Sequence, residues 1–511
     1  MSTVQLDGKN LDLKAFGSVI YEKYPVSICK DSVIRIKKCR SIVESIVDKN
    51  IVRYGINTGF GKFSNVVIDK KDTVELQKKI IISHAVGVGK PLAEDVVRGI
   101  MLLKLNSFLH GFSGVRLCVA ETLIGMLNRN VIPFIPEKGS VGASGDLAPL
   151  SHLAMVMTGL GQAYYEGKLM DGGEAMKKAG IPVLELRQKE GLAILNGTQV
   201  MTSLAAVCLL KAENLLKTAD ISGAMSLDSL KGSLSAFDKR IHSARPHKGQ
   251  SATAANFIKL LGDSKILKSH SDCGKVQDAY SLRCIPQVHG AVKDTFRHVR
   301  QIVMTEMNSV TDNPLVFDEG HDVVSGGNFH GEPVAFAMDF LSIALSELAN
   351  ISERRISYML DPATNDGLPP FLTEKGGLNS GFMMTQVTAA ALVSENKVLS
   401  HPASVDSVPT SANKEDHVSM GTHAARKCLE ICENVKNVLA IELLCAAQAM
   451  DYRGTENSSK AVKAVHKKFR SKVKFMKEDS YIYPDIIASA GMIESGDFVK
   501  EAEKTTKELK I

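Results

Sequence analysis

The sequence predicts a mostly α protein, a bundle of long helices. Apolar residues recur at three- and four-residue spacing, as at Ile42-Val43 and Ile46-Val47. Extended helical patterns return at 291–308, 333–357, 384–396 and 420–450, lengths that suit a long-helix bundle. Strand-like alternation is scarce. A chain of 511 residues also has room for two or more domains.

Residues 13–50 hold two helices. The next segment, Arg53-Tyr54-Gly55-Ile56-Asn57-Thr58-Gly59-Phe60-Gly61, has too many glycines for helix and reads as a flexible loop that presents Tyr54, a composition common in lids. It is not a phosphate-binding loop, because Ile56 stands where glycine is required and Phe63 where Ser or Thr is. Residues 71–82 are helical and lead to His84, and 92–127 continue as amphipathic helix through 111–116. A helix opens at Asp146 and runs to about Gln162. Residues 163–190 form a small excursion in which Asp171-Gly172 turns a short hairpin. Helix resumes over 199–216 and 213–240. The irregular stretches 277–284, 311–331 and 402–419 are rich in Asn, Gln, Arg, Tyr and Glu, which suits a buried polar site.

Hydrophobic content of 44% and charged content of 23% are ordinary for a soluble protein. The first residues carry acidic groups and no apolar run, which excludes a signal peptide, and no 18-residue apolar stretch is free of polar interruption, which argues against a membrane span. The nine cysteines include no CxxC, and their scatter fits a reducing compartment, hence the cytoplasm. Cys428 and Cys432 share a helix face, but no His or second pair completes a site, so no metal is expected. Net charge is a mild +6. The densest basic run, 460–477, has Val462, Val465 and Phe469 at near-helical spacing and reads as a solvated face over a core stripe. With no Trp and 5% aromatics, stacking platforms for nucleic acid are few.

One stretch has chemistry of its own: Gly139-Ser140-Val141-Gly142-Ala143-Ser144-Gly145-Asp146. A Gly-Ala-Ser-Gly string alone is an ordinary tight turn. If the Gly145 nitrogen is pressed against the Ala143 carbonyl, however, a five-membered ring can close. Loss of two waters, one involving the Ser144 hydroxyl, leaves an exocyclic methylene conjugated to that ring. Such an electrophile has no counterpart among ordinary side chains, and small neighbours are needed for the closure.

The longer string Ala143-Ser144-Gly145-Asp146-Leu147-Ala148-Pro149-Leu150-Ser151-His152 resembles the signature of the aromatic amino acid ammonia-lyases. The resemblance covers nearly the whole chain, thinning at 163–190 and after about 455. It implies the long-helix fold of the fumarase/aspartase-like superfamily, with helical domains at 1–195 and 196–511. It also implies conversion of Ala143, Ser144 and Gly145 into 4-methylidene-imidazol-5-one (MIO), with no external cofactor. Partners implied are a small amino-acid substrate and identical chains, in tetramers of dihedral symmetry whose active sites each draw loops from three subunits.

Eliminating ammonia without oxidation requires activating a poor leaving group and removing a weakly acidic β-hydrogen. Whether the substrate amine or its ring adds to the electrophile stays open. Tyr54 matches the family's base, and because a phenol titrates near 10 it needs nearby positive charge or the electrophile's field. Tyr280 is a second proton carrier. Arg283, three residues on, matches the family's carboxylate-binding arginine, a planar fork suited to bidentate pairing. Asn196 is expected to donate to the carboxylate or to the MIO carbonyl, Gln277 to support it, and Phe329, in a glycine-rich setting unusual for core, to pack against the prosthetic group. His84 and Glu415 select the side chain. Against benzene a buried carboxylate is left unpaired, whereas against imidazole it is satisfied. The expected substrate is therefore L-histidine and the product trans-urocanate.

Overall fold

The computed structural model describes residues 3–269 and 276–511. It is mostly helical, and the sheets among the described residues have two or three short strands. Four long helices fall where the sequence placed them, at Ile285–Met307, Glu332–Leu360, Met383–Leu399 and Gly421–Arg453, while the helix expected to run on to 240 ends at Ser229, as Gln199–Ser229. Glu332–Leu360 is apolar and long enough to cross a membrane by composition, but 67% of its most apolar window is buried, which is how a core helix reads.

The chain divides into two compact units. The first comprises Met1–Val207, Arg300–Asp339 and Pro402–Arg426. At its centre lies Glu94–Phe108, buried on every face from Val96 to Phe108. Its first turn carries Glu94 and Asp95, which complement the positive end of the helix dipole. The second unit comprises Cys208–Val299, Phe340–His401 and Lys427–Ile511. A buried polar layer crosses it: Arg355 pairs with Glu442 (Nη2 to Oε2 2.9 Å), which also accepts from Ser222, Ser226 and Ser352. Asp220 there accepts from Lys293 at 2.6 Å and bonds His289 at 2.9 Å. In the basic run, Lys460–Arg470 is a helix with Val462, Val465 and Phe469 buried, the predicted stripe.

Three further local expectations are corrected. The 92–127 helix is broken into Glu94–Phe108 and Leu117–Asn128. The carbonyls between them go elsewhere: Leu109 O accepts from Arg35, Phe112 O from Val316 N and Gly114 O from Arg40. The helix after the ring-forming loop stops at Met157, because Gln162–Tyr165 pairs as a strand with Ile132–Pro133. That strand also forms the hairpin with Lys168–Asp171, so the turn lies at Glu166-Gly167, while Asp171 precedes a short helix, Gly172–Lys178.

Candidate active site

The ring-forming loop is shaped by two left-handed glycines, Gly142 at φ 71° and Gly145 at φ 74°. A Cβ at 145 would fall 2.2 Å from Gly197 O, so no other residue fits there. The close approach lets Asp146 N donate to Gly197 O (2.8 Å) and Gly197 N to Ser144 O (3.3 Å). Among the described residues nothing bonds the Gly145 N–H, the nitrogen that ring closure uses. Asp146 staples the loop in place. Its carboxylate, wholly buried, accepts from Val200 N (3.0 Å), Met201 N (2.9 Å), Ser140 Oγ (2.9 Å) and Thr422 Oγ1. Burial pushes its pKa up, and these donors pull it back. Two of them are first-turn N–H groups of Gln199–Ser229, which have no acceptor within the helix and favour an anion.

Next to this loop, within the first unit, lies a cavity of about 1040 Å³ lined by Tyr54, His84, Ser144, Asn196 and Glu415, with Phe60 and Leu192 among its apolar walls. Five residues spread over more than 360 positions of the sequence thus line one space. Ser144 Oγ donates to Glu415 Oε1 at 3.0 Å. Thr410 Oγ1 and Ser411 Oγ donate to Glu415 Oε2 at 2.7 and 2.8 Å. His84 Nδ1 is engaged by the Ser83 hydroxyl at 3.0 Å. Asn196 donates from Nδ2 to Asn313 O (3.2 Å), while its buried Oδ1 has no partner. Burial, reinforced by the Glu415 charge, raises the Tyr54 pKa against a smaller opposing effect of the Gly61 backbone bond. That direction is the wrong one for a base, so a cation or electrophile must be added to this cavity before Tyr54 can serve.

The other four expected residues do not line this cavity. Tyr280 stands on a single helical turn, Tyr280–Arg283, in the second unit and is 71% exposed. The Arg283 guanidinium lies over its ring, 4.6 Å from the centroid, and Arg283 Nε is buried without a partner. Gln277 is exposed and shares with Arg283 a separate cavity of about 820 Å³. Phe329 is half-buried in the first unit.

Two donor clusters invite a metal: Cys208, Cys428 and Cys432, and His330, Glu332 and His417. The Cys208 thiol is held well above its ordinary pKa by hydrogen bonds to Cys428 and Cys432 and by burial, which opposes the thiolate a metal needs. His330 Nδ1 accepts from Glu332 N (3.4 Å), which puts the ring proton on Nε2, the nitrogen that faces His417.

Sequence reasoning missed several supports. The sequence marks Asp146 as a helix opener within the signature string but not as the loop's staple, and it places Asn313, Thr410 and Ser411 only within polar loops, with no signal for their individual bonds. Lys104 did carry one, a lysine inside the apolar run Met101-Leu102-Leu103-Lys104-Leu105. Its Nζ reaches Asn196 O at 2.5 Å and Ala193 O at 3.1 Å.

The family model for aromatic amino acid lyases matches residues 11–471. The chain is 53% identical over 507 residues to the histidine ammonia-lyase of Alkaliphilus oremlandii, covering 99% of this chain and 100% of that one. Of solved structures, the histidine ammonia-lyase of Trypanosoma cruzi superposes with a TM-score of 0.92 at 41% identity, covering 99% of this chain and 96% of that one. The tyrosine aminomutase of Streptomyces globisporus superposes at 0.95 with 39% identity over 100% of both chains. The chain belongs to the aromatic amino acid lyase family and has the long-helix fold of the fumarase/aspartase-like superfamily. Ala143, Ser144 and Gly145 are accordingly the precursor of its MIO group, and the left-handed glycines and the unbonded Gly145 N–H fit that role.

Proposed function

We propose that this chain is a carbon–nitrogen lyase that removes ammonia from L-histidine to give trans-urocanate. One observation carries the substrate: Ser144 and Glu415 are hydrogen-bonded in a cavity that also holds His84. MIO supplies the electrophile that makes the elimination accessible. Its formation removes Ser144 Oγ as water, which strips Glu415 Oε1 of its donor and leaves a carboxylate oxygen for an imidazole N–H. Thr410 and Ser411 keep the other oxygen fixed, and His84 orients the ring. Tyr54 takes the β-proton, and Asn196 donates to the substrate carboxylate or to the MIO carbonyl.

Gln277, Tyr280 and Arg283 complete the site from another copy of the chain, Arg283 as the carboxylate fork and Tyr280 as the second proton carrier, while Phe329 packs on the prosthetic group. The support is the mismatch between their chemistry and their surroundings: an exposed tyrosine and an arginine nitrogen with no partner. Exposed Ile343, Met384, Val387 and Val398 on the helices of the second unit offer apolar faces for a homotetramer. Nine cysteines scattered without a CxxC pair support a reducing cytoplasm.

The assay incubates the protein separately with L-histidine, L-phenylalanine and L-tyrosine and follows the ultraviolet absorbance of the conjugated acid. Urocanate should form fastest, and faster cinnamate or coumarate formation would refute the substrate. Retained ammonia with a β-amino acid product would make the chain an aminomutase instead.

A further inference from the structure

We propose that Lys104 is a positioning residue for the elimination: it holds the main chain of Asn196 from behind the cavity wall and so fixes the amide that lines the cavity. The proposal rests on the reading of Asn196 as a donor in that site.

Lys104 is 1% exposed, on Glu94–Phe108. A lysine this deep is rarely retained without a carboxylate beside it. Its Nζ instead donates to Asn196 O at 2.5 Å and Ala193 O at 3.1 Å, and lies 5.6 Å from the centre of the Phe108 ring. Both carbonyls belong to the end of the short helix Glu190–Leu195, where helix acceptors lose their own partners and a cation is favoured. Asn196 is thus gripped at three points. Its carbonyl is held by Lys104, its N–H bonds Leu192 O (2.9 Å), and its Nδ2 bonds Asn313 O (3.2 Å). Oδ1 has no partner, and the second N–H of Nδ2 remains to donate into the cavity.

Burial lowers the Lys104 pKa to about 7, with Asp312 and Asp146 opposing that shift and Lys189 adding to it. Lys189 is itself paired with Asp312 at 2.8 Å. In either protonation state the amine keeps two N–H groups for its two carbonyls, so the grip does not depend on charge. An apolar side chain would fill the same volume but release the Asn196 carbonyl. Displacements of an ångström near reacting atoms cost roughly 10²-fold in rate.

The test is a double-mutant cycle on the purified full-length protein with Lys104→Met, Asn196→Ala and the pair. Intact mass reads ring formation, thermal melts read folding, and kcat and KM are measured with L-histidine. Lys104→Met should form the ring and lose roughly 10²-fold in kcat with KM little changed. The double variant should be no slower than Asn196→Ala alone, because residues acting through one another are not additive. A wild-type kcat in Lys104→Met, or losses that multiply in the double variant, would overturn the proposal. A wild-type rate in Asn196→Ala would instead sink the reading of Asn196 itself. Should Lys104→Met fail to fold, Lys104→Gln, which keeps N–H donors for the carbonyls, should retain more of the wild-type kcat than Asn196→Ala does, and a loss as large as that of Asn196→Ala would overturn the proposal. Failure of both to fold would also overturn the proposal, since Lys104 would then belong to the fold and not to the site.

Discussion

The surroundings of Ser144 and those of Tyr280 are built in opposite ways. Around Ser144 the carboxylates are saturated: Asp146 has four donors, and Glu415 has three. Around Tyr280 the groups are open, with the phenol ring 71% exposed and Arg283 Nε unpartnered. On the proposed reading, the first half forms the electrophile and recognises the ring, and Tyr280 and Arg283 serve the site of another copy. Burial, with the Glu415 charge adding to it, raises the Tyr54 pKa, so a base at this position needs a cation or an electrophile beside it.

The largest effect that sharpens this contrast is loss of the electrophile. Ser144→Ala should fold and yet lose roughly 10³-fold or more in kcat, with an intact mass lacking the loss of two waters. Wild-type turnover in that variant would remove the saturated half from the chemistry. Next is Glu415→Gln, which keeps shape but not charge. Histidine turnover should fall by about 10²-fold or more, and discrimination against L-phenylalanine should relax, because the unpaired-carboxylate penalty disappears. Unchanged discrimination would take Glu415 out of ring recognition.

Smaller in rate but visible in stability is Asp146→Asn. An amide cannot accept from all four donors, so about 2–3 kcal/mol of stability should go, seen as a lower melting temperature together with incomplete ring formation. An unshifted melt with a complete ring would show that the loop does not depend on its staple. The smallest expected effect is a pH slope. Lys104 titrates at about 7 when folded against a usual 10.5. Between those values the unfolded chain binds the extra proton, so stability rises with pH across that window, and below about 7 the cost of burying the ammonium is fully present. Melting temperatures at fixed protein concentration should climb more from pH 7 to pH 9 in the wild type than in Lys104→Met. Parallel slopes would place the Lys104 titration elsewhere.

The same contrast marks what a sequence exposes. Long uninterrupted helical patterns located the long helices, including Gln199–Ser229, which has no exposed residue and reads from its apolar, Ala-rich composition. The ring-forming tripeptide was legible because its chemistry is contiguous. The bond from Ser144 to Glu415 spans 271 residues, and only the family resemblance could bring those two together. Local capping fixes the start of the first helix, where the Asp12 side chain accepts from Ala15 N at 2.7 Å. The break at 109–116 depends on Arg35, Arg40 and Val316, partners that no local window contains. Likewise the hairpin turned at Glu166-Gly167 because strand pairing with Ile132–Pro133 set the register, overriding the Asp-Gly pair downstream.

The most direct test of a site shared between chains is subunit mixing. Ser144→Ala and Arg283→Ala are prepared separately, each nearly inactive, then dissociated, mixed and reassembled. If Arg283 serves the Ser144 cavity of another copy, mixed oligomers contain some sites with both residues intact, and urocanate formation returns to a measurable fraction of the wild-type rate. Reassembled mixtures no more active than the sum of the two parents would contradict the account and confine each site to a single chain.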